Sequence, residues 1–304
     1  MDVEVRMKVA KAPIHRYFER NPQKVFRQAE LHQLFVQHRA AWRLSAVSLK
    51  DFMRLLPAYS KFCRLDIPFP ARTQTCYVWG DSQLLASLLA LDPKGYLSHH
   101  TALELHQLAA DRSETVYLNV EQTHRPRDEP VVLEQSRIDA AFKRAPRISN
   151  SVIAFQGGRV CLLSGMQTGM LGVITAPFPH AAPEHQALRV TGLERTLIDI
   201  AVRPAYSGGP DQILRAYTAA KPRTSIPTLM AMLAELNYIY PYHQAIGFYL
   251  ERAGHDQAAL APLRDLPMEH DFYLAHRMGT TAYIPHWRLH VPADLAPASC
   301  EQTT

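Results

Sequence analysis

Residues 48–79 read SLKDFMRLLPAYSKFCRLDIPFPARTQTCYVW and carry the strongest fold signal in the chain. Ser48 is a favourable helix N-cap, and Asp51 follows three residues later, where a carboxylate stabilises the start of a helix. The apolar residues that follow recur at the i, i+3, i+4 and i+7 spacing of an amphipathic helix. This helix is predicted to bury Leu49, Phe52, Met53 and Leu56 on one face.

Two strand-like segments come after this helix. Residues 62–67 and 75–79 are rich in aromatic and β-branched residues, which favour strands. Between them lies Pro68-Phe69-Pro70-Ala71-Arg72, where the prolines indicate a loop. Together the two segments predict a β-hairpin.

Two further helices are predicted upstream. The first runs over 13–20, because proline suits the first turn of a helix and the Asn-Pro pair at 21–22 ends it. Residues 1–11 are then expected to be a mobile leader, and 28–37 form the second helix. Three helices followed by a β-hairpin is the order of a winged helix-turn-helix, whose third helix enters the major groove of DNA. Small helical domains with a hairpin also serve as protein-interaction modules, and that alternative stays open.

The charge of the chain is unevenly distributed. Residues 1–80 hold 14 Lys and Arg against 6 Asp and Glu, a net of +8, whereas the remainder has a net of −3. A phosphate backbone is the favoured partner of a small basic domain. The alternative is that the cations merely solvate a helical surface.

Cationic side chains in this region are candidate contacts to double-stranded DNA. Lys50 and Arg54 fall outside the apolar face of the third helix, and Arg64 and Arg72 belong to the hairpin and its loop. The helix is expected to meet base edges, and the hairpin to meet the backbone. The predicted DNA-binding residues are Arg27, Ser48, Lys50, Arg54, Lys61, Arg64 and Arg72.

The length of 304 residues suggests two domains. Downstream of residue 80, helices and hairpins mix irregularly, which indicates an α+β fold rather than alternating βαβ units. The prediction is therefore a winged helix-turn-helix domain over 1–80, a larger mixed α+β domain over 81–295 and a flexible tail over 296–304.

Several classes of protein are disfavoured. No apolar run approaches the ~20 residues of a membrane-spanning helix, and the first 13 residues carry charges where a signal peptide is apolar. Neither a His-Glu-x-x-His zinc motif, nor a phosphate loop, nor a Gly-x-Ser-x-Gly elbow occurs. The four cysteines are scattered, and carboxylates do not cluster as a metal-dependent nuclease requires. We expect a cytoplasmic protein with no metal, no cofactor and no catalytic residue.

A helix beginning near residue 193 combines charge with an apolar face. Thr191 and Glu194 have the spacing of a capping box, and Arg195 and Asp199 that of an exposed i,i+4 ion pair worth tenths of a kcal/mol. The loop Ser207-Gly208-Gly209 follows. Arg195, Asp199 and Ser207 are the candidate recognition surface, and the alternative is that they only hold the helix against the loop.

Five stretches together give the chain a family resemblance. They are Tyr77-Val78-Trp79-Gly80, Gly95 to Leu103, Arg137 to Phe142, Val190 to Asp199, and Arg203-Pro204 with Ser207-Gly208-Gly209. In their order and spacing the chain resembles the AbiEi antitoxins of bacterial type IV toxin–antitoxin and abortive-infection systems. The likeness covers most of residues 10–290.

The resemblance implies a function for each predicted domain. An N-terminal winged helix would repress its own operon by binding repeated DNA sites. A C-terminal domain would counteract a cognate nucleotidyltransferase toxin, without requiring a stable complex. The alternative is an enzyme, most plausibly a nucleic-acid hydrolase that finds its substrate through the basic domain; the lack of clustered carboxylates favours the antitoxin. The oligomeric state stays open.

Overall fold

The computed structural model describes residues 2–81, 84–123, 132–155, 157–178 and 187–297, together with the backbone of 302–303. The fold is α+β, as predicted, and the chain forms two compact units. The N-terminal unit comprises Met1–Gly95 and Thr175–Arg189, and the C-terminal unit comprises Tyr96–Ile174 and Val190–Thr304. Within the described residues, no helix combines the length and the apolar character needed to cross a membrane.

The N-terminal unit has the element order of a winged helix-turn-helix. Its three strands are antiparallel, in the order β1-β3-β2, and β2 and β3 form the predicted hairpin. The elements are α1 (Val3–Arg20), β1 (Val25–Arg27), α2 (Gln28–His38), α3 (Leu49–Tyr59), β2 (Phe62–Pro68), β3 (Thr73–Trp79) and α4 (Leu84–Leu91).

The expected mobile leader is wrong, because α1 already begins at Val3. The carboxylate of Asp2 caps the helix by accepting a hydrogen bond from the Val3 amide at 2.6 Å. Four side chains spaced along one face of α1 are buried in the core of the unit, which holds these first residues in the helix. They are Met7, Ala10, Ile14 and Phe18.

The connection between α2 and α3 is long but packed. It runs over residues 39–48, and Trp42, Leu44 and Val47 point into the core. The indole of Trp42 stacks on the ring of Phe52 of α3, with centroids 6.1 Å apart. The connection therefore holds α3 in place rather than leaving it free.

The N-terminal unit extends beyond the predicted boundary at residue 80. The apolar helix α4 packs against β1 and β3. Arg189 donates hydrogen bonds of 2.8–2.9 Å to the carbonyl oxygens of Leu89, in the last turn of that helix, and of Asp92 and Gly95, just after it. These interactions explain why the segment ending at Arg189 belongs to this unit.

The C-terminal unit is built on a mixed sheet and a helical core. One sheet has the order β6-β7-β5-β4-β9-β8 and the other β10-β12-β11-β13. The boundaries at Thr175 and Arg189 fall within β8 and β9, where the chain passes from one unit to the other. Of the predicted tail 296–304, residues 298–301 and 304 lie outside the described part, and β13 pairs with β11. The elements from Tyr96 onward are β4 (Tyr96–Leu97), α5 (His99–Leu105), β5 (Thr115–Glu121), α6 (Gln135–Phe142), β6 (Val152–Phe155), β7 (Gly158–Gly165), β8 (Val173–Pro177), β9 (Ala187–Thr191), α7 (Leu193–Val202), α8 (Pro210–Ala220), α9 (Ile226–Leu236), α10 (Tyr242–Arg252), α11 (Gln257–Arg264), β10 (Phe272–Tyr273), β11 (Thr281–Ile284), β12 (Leu289–Pro292) and β13 (Gln302–Thr303).

Two features of this unit position its functional side chains. β5 and β7 are parallel neighbours, from Thr115 opposite Arg159 to Glu121 opposite Gly165, so their carboxyl ends lie side by side. Helix α7 is buried along most of its length and packs against α5, α8, α9 and α10. Together they bring the loops after β5 and β7 and the C-terminal half of α7 to one region.

The predicted capping box at the start of α7 is wrong. Gly192 occupies the N-cap position and has no side chain that could accept a hydrogen bond from the first turn of the helix. The carboxylate of Glu194 instead accepts a hydrogen bond from the Ser225 amide at 2.9 Å, at the start of α9. Glu194 therefore ties two helices together rather than capping its own.

Candidate functional site

Most of the predicted DNA-binding cations make ion pairs within the N-terminal unit. Their N–O distances are 2.5–3.2 Å, and at least one partner of each pair is well exposed, so solvent screening leaves each pair with little effect on stability. Such pairs exchange readily for a phosphate group. The pairs are Arg27–Glu30, Arg54–Asp51, Lys61–Glu19 and Arg64–Asp66.

The remaining predicted residues fall into two kinds. Lys50 on α3 and Arg72 in the hairpin loop are exposed and make no hydrogen bond or ion pair with any residue that the structure describes. Ser48 is the N-cap of α3, as its position in sequence predicts, and its hydroxyl accepts from the Asp51 amide at 3.1 Å. Its role is accounted for by the helix, whereas Lys50 and Arg72 are free to bind an anion.

The candidate recognition surface in the C-terminal unit is not a surface. Arg195 is 4% exposed, Asp199 is 7% exposed and Ser207 is fully buried. The i,i+4 spacing of the first two was predicted, but their face of α7 packs into the core rather than facing solvent. None of the three side chains is available to a docked protein.

Arg195 and Asp199 instead line a cavity of about 940 Å³ within the C-terminal unit. The cavity lies at the carboxyl ends of the parallel strands β5 and β7, which is where ligands bind in sheets with parallel strands. Its walls come from the loops after these strands, the C-terminal half of α7 and the end of α9. Its polar lining includes His99, Asn119, Gln122, Thr123, Arg147, Ser149, Ser164, Gln167, Thr168, Arg195, Asp199, Arg203, Glu235 and Asn237.

The buried ion pair forms the floor of this cavity. The Arg195 Nε donates to Asp199 Oδ1 at 2.8 Å, and its Nη1 donates to the carbonyl oxygen of Leu171 at 2.5 Å and to Thr168 Oγ1 at 3.3 Å. Burial acts to lower the pKa of Arg195, but the Asp199 carboxylate outweighs it and raises that pKa above its usual value. The 2.8 Å contact between Nε and Oδ1 pairs the two groups, so Arg195 offsets the charge of Asp199 within the site.

Glu121 fixes the loop that carries part of the lining. At the end of β5 it accepts hydrogen bonds from the Thr168 amide at 2.9 Å, from the Thr168 hydroxyl, and from the Met170 amide at 3.2 Å. Burial acts to raise the pKa of Glu121, but these hydrogen bonds lower it below its usual value. The Glu121 carboxylate therefore holds the loop after β7 in place through these hydrogen bonds.

His99 is held in an unusual state beside the cavity. Its φ is +52°, in the left-handed region, which costs a residue with a side chain roughly 1–2 kcal/mol. One ring nitrogen, Nδ1, lies 2.8 Å from the hydroxyl of Ser98. Burial, together with the charges of Arg203 and Arg195, lowers the pKa of His99 to about 3, so its ring is neutral at physiological pH. Backbone strain at such a residue is typical of functional sites.

Two arginines stand at the rim of the cavity. Arg147 and Arg203 are exposed, and neither guanidinium makes a hydrogen bond or ion pair within the described part of the chain. The same two residues line a smaller neighbouring pocket of about 180 Å³, whose walls are mostly proline, alanine and valine. Glu235 is the one acidic side chain on the rim among the described residues.

His99, Arg147 and Arg203 were not among the site residues predicted from the sequence. The available signal was the presence of polar residues at and just after the ends of β5 and β7, among them Asn119, Gln122, Ser164 and Gln167. These residues come together because β5 and β7 are parallel neighbours. Sequence patterns do not predict that two strands so far apart in sequence will pair. Among the described residues, no group of three or more His, Cys, Asp or Glu side chains is arranged to hold a metal ion.

Comparisons with known proteins show the fold. No protein-family model matches the sequence, and no curated protein matches it. Among solved structures the chain is similar to the RV2827C protein from Mycobacterium tuberculosis, with a TM-score of 0.56 and 16% identity over 95% of this chain and 92% of that one. At this identity the likeness concerns the arrangement of helices and strands across both units.

Proposed function

We propose that this chain is a DNA-binding antitoxin that represses its own operon through the winged helix of its N-terminal unit. The observation that carries the proposal is the pair of unpartnered, exposed cations Lys50 and Arg72, one on α3 and one in the hairpin loop. In a winged helix these are the two elements that approach the duplex.

The exposed side of α3 supports this assignment. Phe52, Leu55 and Leu56 are buried in the core of the unit, and Lys50 and Arg54 are exposed on the opposite side. A cation on this helix is suited to a base edge or a phosphate in the major groove, and a cation in the hairpin loop to the backbone. The net charge of +8 over residues 1–80 adds the long-range attraction that duplex DNA requires.

The antitoxin part of the proposal rests on the resemblance to AbiEi proteins. It assigns neutralisation of a nucleotidyltransferase toxin to the C-terminal unit, without a stable complex between the two proteins. A repressor acts where the operon is, so the proposed compartment is the cytoplasm.

Binding of the full-length protein to DNA tests the proposal. Fluorescence anisotropy would compare the duplex upstream of its own operon with a random duplex over a range of salt concentrations. We expect Lys50→Ala and Arg72→Ala each to weaken binding. Removing one cation that binds a phosphate should also reduce the slope of log K against log salt by about 1. Lys143→Ala, an exposed lysine of the C-terminal unit, is the matched control.

The assignment predicts a further difference between the two variants. If Lys50 reaches a base edge, its loss lowers the preference for the operon duplex over the random duplex, by about 1–3 kcal/mol. Loss of Arg72 weakens binding to both duplexes alike. Unchanged binding by both variants, or equal loss in the Lys143→Ala control, would contradict the proposal.

A further inference from the structure

The cavity of the C-terminal unit is not explained by DNA binding in the other unit. A packed core does not need polar amides, a strained neutral histidine and two unpartnered arginines around about 940 Å³ of open space. A concave site with apolar walls and a few convergent polar groups is instead typical of small-molecule binding.

We propose that this cavity binds a phosphorylated small molecule of the size of a nucleotide, with its phosphate at Arg147 and Arg203. The proposal is independent of the antitoxin function. It names a ligand that nothing in the sequence resemblance supplies.

The charge of the lining favours an anion. Three arginines line the cavity against two carboxylates, and Asp199 is already neutralised by Arg195 at 2.8 Å. Arg147 and Arg203 are left without an acidic partner among the described residues, and Glu235 stands alone on the rim. Unpaired guanidinium groups recognise phosphate oxygens by charge-assisted, often bidentate, hydrogen bonds.

The neutral ring of His99 is part of the same arrangement. It lies in the positive field of Arg203 and Arg195 and cannot become protonated at physiological pH. It therefore offers a hydrogen-bonding ring nitrogen without adding a positive charge to those of Arg147 and Arg203. Its left-handed backbone holds the ring in this position at an energetic cost that a binding role explains.

The size and the remaining lining point to more than a bare phosphate. A volume of about 940 Å³ falls at the upper end of the range of small-molecule sites, roughly 300–1,000 Å³. The amides of Gln122 and Gln167 provide donors and acceptors, and the rings of Tyr206 and Tyr238 provide flat apolar faces. Hydroxyl groups, a heterocycle and a phosphate on one molecule match this combination.

The neighbouring pocket strengthens the placement of the phosphate. Arg147, Arg203 and Tyr206 line both the large cavity and the apolar pocket of about 180 Å³. An anion held at the two arginines therefore has a polar space on one side and an apolar one on the other. A nucleotide with its terminal phosphate at this position keeps its sugar and its flat ring in the large cavity, beside Tyr206 and Tyr238.

Binding of nucleotides to the full-length protein tests the proposal. Isothermal titration calorimetry and thermal melting would be carried out with AMP, ATP, GTP, pyrophosphate and inorganic phosphate, with adenosine as the uncharged control. We expect at least one nucleotide to bind and raise the melting temperature, and to bind at least tenfold more tightly than inorganic phosphate or adenosine.

Matched variants locate the site. Arg147→Gln and Arg203→Gln are expected to weaken nucleotide binding at least tenfold each, and Gln167→Glu to weaken it by adding a negative charge to the lining. Arg215→Gln removes an exposed arginine of α8 that has no described ion-pair partner, and it should leave binding unchanged. The Lys50→Ala/Arg72→Ala double variant should also bind normally, since the winged helix is not involved.

Three results would overturn the proposal. One is the absence of binding by all the nucleotides, or binding no tighter than that of inorganic phosphate. Another is nucleotide affinity that survives Arg147→Gln and Arg203→Gln but is abolished in the Lys50→Ala/Arg72→Ala variant, which would move the site to the winged helix. The third is binding of short oligonucleotides at this cavity with no binding of mononucleotides.

Discussion

The guanidinium of Arg195 and the carboxylate of Asp199 lie one turn apart on α7 and meet at 2.8 Å, with both side chains removed from solvent. An exposed pair at this spacing contributes tenths of a kcal/mol. Once buried, the same pair offsets a large desolvation penalty, and the loss of either member leaves an uncompensated charge in the interior. The position of the pair at the floor of the cavity links the stability of α7 to the shape of the site.

Removing the acid of this pair should therefore destabilise the fold strongly. We expect Asp199→Asn to lower the free energy of unfolding by about 3–5 kcal/mol, because Arg195 would remain charged and buried. Urea denaturation followed by circular dichroism measures this quantity. Glu134→Ala, which breaks the exposed Arg137–Glu134 pair of the same unit, is the control and should cost no more than about 1 kcal/mol. Similar losses in the two variants would mean that burial of the pair has no energetic consequence.

Local features of the N-terminal unit could be predicted from the sequence. The cap at Ser48, the apolar face of α3 and the hairpin after it follow from residues within a few positions of one another. The start of α1 was missed because charged residues alternate with the apolar ones over the first 13 positions. Met7 and Ala10 gain their burial only from packing against other elements, which short-range patterns do not report.

The candidate site of the C-terminal unit could be predicted only in part. The spacing of Arg195 and Asp199 is local and was recognised, whereas their burial depends on the helices that surround α7. The cavity itself requires that β5 and β7 pair in parallel, although some 40 residues separate them in sequence. Arg147 and Arg203 line the same cavity through the packing of segments that are distant in sequence, which local patterns do not predict.

Ser48 offers a test that separates capping from DNA contact. Ser48→Ala should lower the free energy of unfolding by about 1 kcal/mol, because the Asp51 amide loses its side-chain acceptor. Ser48→Asn retains a capping oxygen and should be close to wild type in stability. If both variants bind the operon duplex normally once folded, the serine acts through the helix. Weaker DNA binding by the stable asparagine variant would instead show a direct contact.

His99 gives the protein a specific dependence on pH. Its pKa falls from 6.5 to about 3 on folding, so the unfolded chain binds a proton that the folded one does not. The contribution of His99 to stability is therefore fully present above about pH 6.5 and is lost progressively as the pH falls toward 3. We expect wild type to lose about 2 kcal/mol more stability between pH 7 and pH 5 than His99→Asn, since asparagine also tolerates a positive φ. Equal losses, measured by urea denaturation at both pH values, would contradict a buried neutral ring.

Substitutions at two glycines after β7 can distinguish the destabilising effect of steric crowding from that of backbone strain. Gly169 and Gly172 both have positive φ, of +63° and +69°, but an added Cβ meets nothing within 4 Å at Gly169 and lies 2.8 Å from the Arg195 Cβ at Gly172. Gly169→Ala should therefore cost only the backbone strain of about 1–2 kcal/mol. Gly172→Ala should cost about 1–3 kcal/mol more, because the methyl group pushes against the buried ion pair. Thermal melting of both variants gives the comparison, and an equal shift would exclude crowding at Arg195.

Repression and toxin neutralisation should be separable in the full-length chain. The Lys50→Ala/Arg72→Ala variant is expected to lose repression of a reporter placed under its own operon promoter, because it removes an unpaired cation from α3 and another from the hairpin loop. Expressed from an unrelated promoter, it should still restore growth to cells producing the proposed nucleotidyltransferase toxin.

The physical reason for this expectation is that both substitutions are exposed and confined to the N-terminal unit, so the apolar core of the C-terminal unit is untouched. Lys143→Ala is the control for both assays and should behave as wild type. Immunoblotting would establish that the variants are present at equal levels. Loss of both activities by the double variant at wild-type abundance would show that neutralisation depends on DNA binding. The assignment of repression and neutralisation to separate units would then be wrong.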